Sequence, residues 1–285
     1  MHIEARTSVN PTCEILVSTY ENSRALDLCL TGLSKQIGAD FRLCVADDGS
    51  SDETREVVER WRRVFGEGRL RHVWQPHRGF GKNAILNQAI RTSAADYLIF
   101  IDGDCVASPG FVRRHFELRG PGRFLTGGVV RLTAAASALL ATDLVRSGEV
   151  FTFAWLRAQG SLGFSRNWLK VGLLPRSFLD VLEVLSPVSR TWNGGNSSGW
   201  RQDLLAVNGF NEAMCYGAED IELGVRLNNF GVRGRHLRYT ATLLHVDHAR
   251  GYADPRVAAE NRRKVEGLRH TDRYWAEDGI RKGGP

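Results

Sequence analysis

The sequence has no apolar run as long as a membrane-spanning helix, and its first residues lack the apolar core of a signal peptide. Any membrane contact is therefore expected to be peripheral, at the inner face of a membrane, and the expected location is cytoplasmic. Cysteine is scarce: there are five, an odd number, and none forms a Cys-x-x-Cys pair. This usage argues against a disulfide framework and a zinc or redox site, and it is typical of a reducing cytosol.

The composition is that of an ordinary globular protein, because 42% of the 285 residues are hydrophobic and 25% are charged. That length favours one large domain with an elaboration over two equal domains. The formal net charge is +6, and much of the excess falls late in the chain. A basic surface suits a nucleotide diphosphate, an anionic acceptor or an anionic membrane face. No recognisable nucleic-acid-binding motif accompanies the charge, so nucleic acid is not the expected partner.

Strand-like and helical patterns alternate through the first hundred residues. Apolar runs at 14–19, 41–46, 70–74 and 97–101 indicate strands, with helical patterns between them. The alternation predicts an α/β fold with a Rossmann-like, mostly parallel sheet flanked by helices. Such sheets bind ligands at the carboxyl ends of their strands, so polar residues directly after each strand are the first site candidates. A further strand is predicted at 124–132, and a helical or irregular insertion follows it.

Asp102-Gly103-Asp104 follows the fourth predicted strand. Two carboxylates at a strand end offer the hard oxygen ligands with which Mg²⁺ or Mn²⁺ can carry a diphosphate. Gly103 lets a ligand approach the backbone closely. By itself an Asp-x-Asp string is more often a polar turn. Its position relative to the other motifs favours a metal site.

Three further polar strings lie near the ends of strands or the start of a helix. In Asp47-Asp48-Gly49-Ser50 a carboxylate can accept the imide N–H of uracil or hydrogen-bond a ribose, although a turn with a helix cap explains the same residues. Ser18-Thr19-Tyr20-Glu21 can line the same pocket or can be ordinary loop polarity. Arg78-Gly79-Phe80-Gly81-Lys82-Asn83 joins glycines and cations to a helix N-terminus, which suits phosphate or base contacts, but it lacks the P-loop spacing.

The second half carries candidates for an acceptor site and a general base. The string from Trp192 to Ser198 can offer backbone N–H groups and an aromatic platform to a sugar, or it can be a flexible connector. A helix is predicted to begin near Glu219. Acidic residues there are favourable through the helix dipole alone, but a carboxylate at a helix start in a cleft can also be the general base for an incoming hydroxyl. His245 and His248 follow, and each is either structural or a further metal ligand.

The order of these motifs resembles that of the family 2 glycosyltransferases of the GT-A fold. Asp-Asp-Gly-Ser, Gly-Phe-Gly-Lys, Asp-Gly-Asp, Asn-Gly-Gly-Asn-Ser, Asn-Gly-Phe…Gly-x-Glu-Asp and His follow one another within residues 12–250. The second half also looks like the galactosyltransferase-type region of β-1,4-galactosyltransferases and chondroitin-polymerase-like enzymes. The most specific element of this resemblance is the string from Asn208 to Asp220.

The resemblance implies an inverting, metal-dependent glycosyltransferase. It would move a hexose or N-acetylhexosamine from a nucleotide sugar to a hydroxyl of a glycan or glycolipid, in surface polysaccharide or lipopolysaccharide synthesis. UDP is favoured because Asp48 suits uracil, while dTDP offers the same imide and GDP stays open. The alternatives are a non-catalytic nucleotide- or glycan-binding partner and a sugar nucleotidyltransferase. The latter usually has a Gly-x-Gly-Thr-Arg-like string where Ser18-Thr19-Tyr20-Glu21 stands here.

The resemblance also implies individual roles around the donor and the metal, which would be Mn²⁺ or Mg²⁺. Asp48 would contact the base, Asp102 would take both the ribose and the metal, and Asp104 would be the firmer metal ligand. His248 competes with His245 for the metal. The implied donor-binding set is Thr19, Glu21, Asp48, Lys82, Asp102 and Gly103, and the implied metal set is Asp102, Asp104, His245 and His248.

Asp220 would be the catalytic base, and Glu219 would hold the sugar or the acceptor. Galactosyltransferases usually approach this pair through a Trp-Gly-Trp-type string, whereas Cys215-Tyr216-Gly217-Ala218 stands here, so stacking on the acceptor does not carry over directly. The implied acceptor contacts are Trp192, Asn193, Gly194, Gly195 and Tyr216.

The same interpretation divides the chain into four parts. A nucleotide-sugar-binding half spans 1–132, a helical insertion 133–190, an acceptor-binding and catalytic half 191–250, and a charged helical tail 251–285. Aromatic and basic residues interleave in the insertion. This pattern predicts either an acceptor- or membrane-facing surface or a helical subdomain that closes the cleft.

Overall fold

Four parallel strands form the first half of the sheet, as the sequence predicts. Strand β1 (Cys13–Thr19) pairs with β2 (Arg42–Asp47) on one side and with β4 (Tyr97–Asp102) on the other, and β2 pairs with β3 (Leu70–Trp74). The carboxyl ends of β1, β2 and β4 therefore meet at one edge. These elements come from a computed structural model, which describes residues 11–163, 166–171, 173–248 and 254–284.

Three strands from the second half extend this sheet. They are β6 (Arg123–Thr126), β8 (Asn196–Trp200) and β9 (Arg233–His236), and the complete order is β3-β2-β1-β4-β8-β6-β9. β8 runs antiparallel to both β4 and β6, and β9 runs parallel to β6. Strands β4, β6 and β9 therefore end at the same edge of the sheet.

Strand β8 lies where the sequence indicated a polar loop. Its five residues are all buried, and the small side chains of Ser197 and Ser198 point to opposite faces of the sheet. The hydroxyl of Ser198 lies 2.7 Å from Tyr97 Oη and 2.7 Å from His115 Nδ1, so these three atoms are hydrogen-bonded to one another in the buried space between the sheet and α4 (Phe111–Leu118). A polar sequence is therefore compatible with a central strand here.

The strand predicted at 124–132 is divided between two sheets. After β6 the chain turns at Gly127 and Gly128 and enters β7 (Val129–Arg131), which pairs with β10 (Leu243–His245). A Cβ on Gly127 would lie 2.3 Å from Asn196 Nδ2, so the side chain of Asn196 occupies this corner and requires glycine. β10 also pairs antiparallel with β5 (Cys105–Ala107), which completes a three-stranded sheet in the order β5-β10-β7.

Helices cover both faces of the large sheet, because successive strand residues point to opposite sides. Ile99 of β4 packs in the cluster that contains α1 and α2 side chains, whereas Phe100 packs with side chains of α3 and α10. None of the described helices is both long and apolar enough to cross a membrane. The α-helices are α1 Ser23–Ser34, α2 Asp52–Phe65, α3 Lys82–Thr92, α4 Phe111–Leu118, α5 Ala134–Leu139, α6 Thr142–Ser147, α7 Phe153–Ala158, α8 Arg176–Leu185, α9 Arg201–Ala206, α10 Glu219–Asn229 and α11 Pro255–Arg269.

The predicted insertion is helical, and its first part packs on the small sheet. Ala136, Val145 and Leu156 are buried against residues of β5, β7 and β10, and the aromatic side chains of Phe151, Phe153 and Trp155 pack around this cluster. Helix α8 lies apart from this cluster and contacts β9. The predicted helical tail contains α11, and its residues 251–253 and 285 fall outside the described part of the chain.

Candidate active site

A cavity of about 820 Å³ opens at the carboxyl ends of β1, β2 and β4. This is the edge at which parallel α/β sheets bind ligands. The second half of the chain reaches the same edge through β10 and the start of α10, so both halves line one space. Every site residue predicted from the sequence lies in the lining except Trp192: Thr19, Glu21, Asp48, Lys82, Asp102, Gly103, Asp104, Asn193, Gly194, Gly195, Tyr216, Glu219, Asp220, His245 and His248.

Asp104, His245 and His248 converge in this cavity. β5 begins directly after Asp104, and its antiparallel pairing with β10 places His245 opposite Cys105. Asp104 Oδ2 lies 2.7 Å from His248 Nε2 and 3.5 Å from His245 Nε2. Burial opposes ionisation of this carboxyl, but the hydrogen bond from His248 and the charges of His245, His248 and Lys82 outweigh it and lower the pKa of Asp104.

This triad fits a divalent metal ion. One ligand atom of each residue lies within 4.8 Å of the other two, and a carboxylate oxygen with two imidazole nitrogens is a suitable donor set. The two histidines, which the sequence leaves as competitors, are thus both in place. Within the described residues, the predicted second carboxylate ligand, Asp102, is outside this group. Its Oδ1 instead accepts hydrogen bonds from Ser18 Oγ at 2.8 Å and Lys82 Nζ at 2.5 Å.

Lys82 places a positive charge among the carboxylates of the cavity. It is the first residue of α3, and its ammonium is paired with Asp102. Burial alone would lower the pKa of Lys82, but the charges of Asp102, Glu219 and Asp220 outweigh it and raise the pKa well above its ordinary value. The side chain therefore remains a cation at neutral pH.

Glu219 and Asp220 enter the cavity from the first turn of α10. The backbone turns into this helix through Gly217 and Ala218, whose φ values are 107° and 74°. A Cβ on Gly217 would lie 2.7 Å from Ala258 Cβ, so the turn requires glycine at this position. This turn, rather than helical periodicity, aims the two carboxylates.

Backbone N–H groups hold both carboxylates in place. Asp220 Oδ2 accepts from Gly194 N at 3.0 Å and its Oδ1 from Ile221 N at 2.8 Å, while Glu219 Oε2 accepts from Gly217 N at 2.7 Å. Burial raises the pKa of Asp220. Burial and then the charge of Asp220 raise the pKa of Glu219, and Lys82 opposes both shifts. A carboxylate with a raised pKa in a cleft is a better proton acceptor than an exposed one.

Asp48 fixes the glycine-containing turn that precedes α3. Its Oδ2 accepts from Gly81 N at 2.8 Å, and its Oδ1 accepts from Gln75 Nε2 at 2.6 Å. A Cβ on Gly81 would lie 2.2 Å from Asp48 Oδ1, so only glycine fits there. Each carboxylate oxygen has a second lone pair, so Asp48 can still accept a hydrogen bond from a ligand.

The lining also contains His77 and Arg131, which the sequence did not single out. The rings of Tyr20 and His77 stack with centroids 4.1 Å apart, and Arg131 ends β7 in register with His245. The rule that sites follow strand ends could have indicated Arg131, because its strand had been predicted. His77 directly precedes the basic turn, but no spacing pattern in the sequence links it to Tyr20.

Trp192 does not line the cavity, which corrects its prediction as an acceptor contact. It is 1% exposed, and its ring packs 5.1 Å from that of Phe100 and 5.6 Å from that of Phe124. The apolar ring belongs to the core, so it cannot offer a face to a sugar. Tyr216 lies in the lining as predicted, and its ring centroid is 6.2 Å from that of Phe80.

The fold and cavity define an α/β protein of the GT-A type. Residues 14–120 match the family model described as glycosyl transferase family 2, and residues 178–249 match the model described as the N-terminal domain of galactosyltransferase. The chain thus belongs to the family 2 glycosyltransferases and has a galactosyltransferase-type region in its second half. The predictions of fold and family are confirmed.

Proteins of similar sequence include a glucosyltransferase and a chondroitin synthase. Validoxylamine A glucosyltransferase of Streptomyces hygroscopicus subsp. jinggangensis (strain 5008) is 29% identical over 235 residues, covering 79% of this chain and 53% of that protein. Chondroitin synthase of Pasteurella multocida (strain Pm70) is 30% identical over 224 residues, covering 75% of this chain and 22% of that protein. The chain thus spans about half the length of the first of these relatives and a smaller share of the second.

Solved structures support the same fold. The mannosyltransferase PcManGT from Pyrobaculum calidifontis, in complex with GDP-Man and Mn²⁺, has a TM-score of 0.58 at 18% identity, covering 86% of this chain and 59% of that one. S. aureus TarS 1-349 in complex with UDP-GlcNAc has a TM-score of 0.59 at 16% identity, covering 90% of this chain and 66% of that one.

Proposed function

We propose that the chain is an inverting, metal-dependent transferase that moves a hexose or N-acetylhexosamine from a UDP-sugar to a hydroxyl of a glycan or glycolipid. We assign it to surface polysaccharide or lipopolysaccharide synthesis. The observation that carries the proposal is that one cavity contains both the Asp104–His245–His248 triad and the buried, backbone-anchored carboxylate of Asp220. The departing diphosphate and the attacking hydroxyl act on the same sugar carbon, so the groups that serve them must share one space.

Asp220 is the proposed base. As the acceptor oxygen attacks the anomeric carbon, its proton passes to the Asp220 carboxylate, and the bond from that carbon to the diphosphate oxygen breaks. The pKa of Asp220 is raised towards neutral pH, and a base with such a pKa is better suited to take the proton of the hydroxyl. The two N–H groups that bind Asp220 fix its direction, which a single displacement on the face opposite the leaving group requires. Glu219 is assigned to the sugar or acceptor.

Asp104, His245 and His248 would hold the metal. The ion would neutralise charge on the diphosphate leaving group. Two imidazole ligands favour Mn²⁺ over Mg²⁺, because Mg²⁺ is bound mainly through oxygen. Asp102, whose carboxylate pairs with Lys82, is assigned to the ribose, and the Lys82 cation adds positive charge near the phosphates.

UDP is the proposed nucleotide because the carboxylate of Asp48 can accept the imide N–H of uracil, with Thr19 and Glu21 beside it in the lining. Thymine presents the same imide, and guanine also has ring N–H donors, so dTDP- and GDP-sugars belong in the same test. The glycan acceptor is assigned to the wall formed by Asn193, Gly194, Gly195 and Tyr216.

The test is nucleotide release from UDP-, dTDP- and GDP-sugars in Mn²⁺, Mg²⁺ or EDTA, for wild type, Asp104→Ala and the control His270→Ala. His270 has an exposed side chain outside the cavity. We expect metal-dependent release of UDP that Asp104→Ala loses and His270→Ala keeps. Release of another nucleotide would correct the donor. Absence of both release and metal-dependent nucleotide binding would overturn the proposal and favour a non-catalytic binding role, whereas pyrophosphate release from UTP with a sugar phosphate would indicate a nucleotidyltransferase.

A further inference from the structure

Helix α8 exposes an apolar face to solvent. Phe178, Val181, Val184 and Leu185 expose between 51% and 70% of their surface. Phe178, Val181 and Leu185 have the i, i+3, i+7 spacing of one helix face. In a typical surface helix such a stripe faces the core, so this orientation is the reverse of the usual one.

The opposite face of α8 binds the protein through its carboxylates. Glu183 is buried and accepts hydrogen bonds from Arg238 N at 2.8 Å and Tyr239 N at 2.7 Å, and Asp180 pairs with Arg114. Leaving the buried carboxylate of Glu183 without partners would be costly, since buried charges require compensation. The contacts therefore fix the rotation of the helix and hold its apolar face outward.

Cations lie at the C-terminal end of α8 and on the neighbouring edge of the large sheet. The Arg190 guanidinium donates a hydrogen bond to Val184 O at 3.0 Å, at the C-terminal end of α8. Beside the helix, the edge of the large sheet carries a basic cluster of Arg123, Arg233 and Arg235, in which Arg123 pairs in register with Arg233. Burial and the charges of Arg123 and Arg114 lower the pKa of Arg235, and the carboxylates of Asp180 and Glu183 oppose this shift.

We propose that the apolar face of α8, together with Arg190 and the basic cluster, docks the protein on an anionic lipid surface. Helices that lie in a membrane interface combine an apolar face with basic residues, and because the polar face of α8 carries Asp180 and Glu183, the cations here are Arg190 and the basic cluster. The formal net charge of +6 complements such a surface. Charge complementarity favours lipid over a purely apolar protein partner, which would leave the arginines unpaired.

The location of α8 relates this surface to the cavity. The residues that bind Glu183 come directly after β9, and β9 ends at the same sheet edge as β4, which carries Asp102. Glu183 therefore anchors α8 at the cavity edge of the sheet, where a lipid-anchored acceptor would be presented, whereas Arg123 and Arg233 begin β6 and β9 at the opposite edge. This last consequence rests on the proposed function, whereas the docking itself does not.

The test is co-sedimentation of the full chain with vesicles of phosphatidylcholine, with and without phosphatidylglycerol, in the absence of sugar nucleotide. We expect wild type to bind only the anionic vesicles. Phe178→Ser with Leu185→Ser should weaken binding about tenfold through the loss of apolar burial. Arg190→Gln and Arg233→Gln should each weaken it about fivefold, as expected for one cation near an anionic surface. The matched control is Ile37→Ser with Val64→Ser, which removes two equally exposed apolar side chains elsewhere and should leave binding unchanged.

Circular dichroism checks that each variant is folded. The proposal is overturned if wild type does not bind the anionic vesicles, or if the Phe178 and Leu185 double variant binds them as wild type does. It is also overturned if this variant instead abolishes a dimer seen by sedimentation equilibrium, because the face would then be a protein interface. Vesicle binding without any nucleotide release would leave the docking intact and reject only the proposed transfer.

Discussion

Gly194 donates its backbone N–H to Oδ2 of Asp220 over 3.0 Å. The next residue, Gly195, is so close to Asp102 that a Cβ there would lie 2.7 Å from its Oδ2. Two consecutive glycines therefore contact the proposed base on one side and the carboxylate paired with Lys82 on the other. This short loop sets the spacing between two carboxylates that come from distant parts of the chain.

Replacement of Asp220 by asparagine should abolish base catalysis while preserving donor binding. General-base catalysis typically contributes a factor of about 10² to 10⁴, so the transfer rate of Asp220→Asn should fall by that order, with the donor Kd nearly unchanged. The measurement is single-turnover transfer together with equilibrium donor binding. Asp203→Asn, outside the cavity lining, is the matched control. If Asp220→Asn transfers the sugar at the wild-type rate, another residue must be the base.

The two loop glycines should differ in their tolerance of a methyl group. In Gly195→Ala the new Cβ would displace the Asp102 carboxylate from Lys82 and Ser18, and strain of this kind costs about 1–3 kcal/mol. We therefore expect donor binding to weaken about tenfold. Gly194→Ala is the control, because its Cβ would meet Asp220 and Lys82 at an ordinary 3.5 Å. Equal donor Kd values for the two variants would contradict the assigned geometry.

Both histidines of the triad should contribute to metal affinity. His245→Ala and His248→Ala each remove one imidazole from a three-residue set, so each should weaken Mn²⁺ binding by about tenfold or more. Mn²⁺ electron paramagnetic resonance measures this without any sugar nucleotide. His77→Ala, which alters the cavity but not the triad, should bind Mn²⁺ as wild type does. If only one histidine variant loses affinity, the other histidine is not a ligand.

Asp203 should make the stability of the fold depend on pH. Burial raises the pKa of this carboxyl from 3.8 to about 6, and its Oδ2 has no hydrogen-bond partner among the described residues. The native state then binds the proton more tightly than the unfolded state, so this contribution is present below pH 3.8 and is lost as pH rises through about 6. Urea unfolding should show the free energy of wild type falling relative to Asp203→Asn across this window. A constant difference would refute the shift.

Much of the site was predictable because the polar residues that line it come directly after predicted strands. Asp48, Asp102 and Asp104 could be placed from the apolar runs before them, and the cavity opens where those runs end. Trp192 was placed wrongly, because a tryptophan beside Asn-Gly-Gly looks identical whether its ring faces a sugar or the core. The strand at 196–200 was missed because serines and glycine show no apolar pattern. Only the structure shows that the buried hydroxyl of Ser198 has hydrogen-bond partners in Tyr97 and His115.

The sequence by itself determined the alternating α/β order, the family and the carboxylates that end the strands, because these depend on local periodicity and on residue type. Only the tertiary structure decided that both His245 and His248 face Asp104, that Asp102 pairs with Lys82, and that α8 presents its apolar face to solvent. Each of these depends on contacts between segments far apart in the chain. Such contacts depend on strand pairing, on turns at glycines and on the burial of charged partners. The periodicity of the sequence does not predict them.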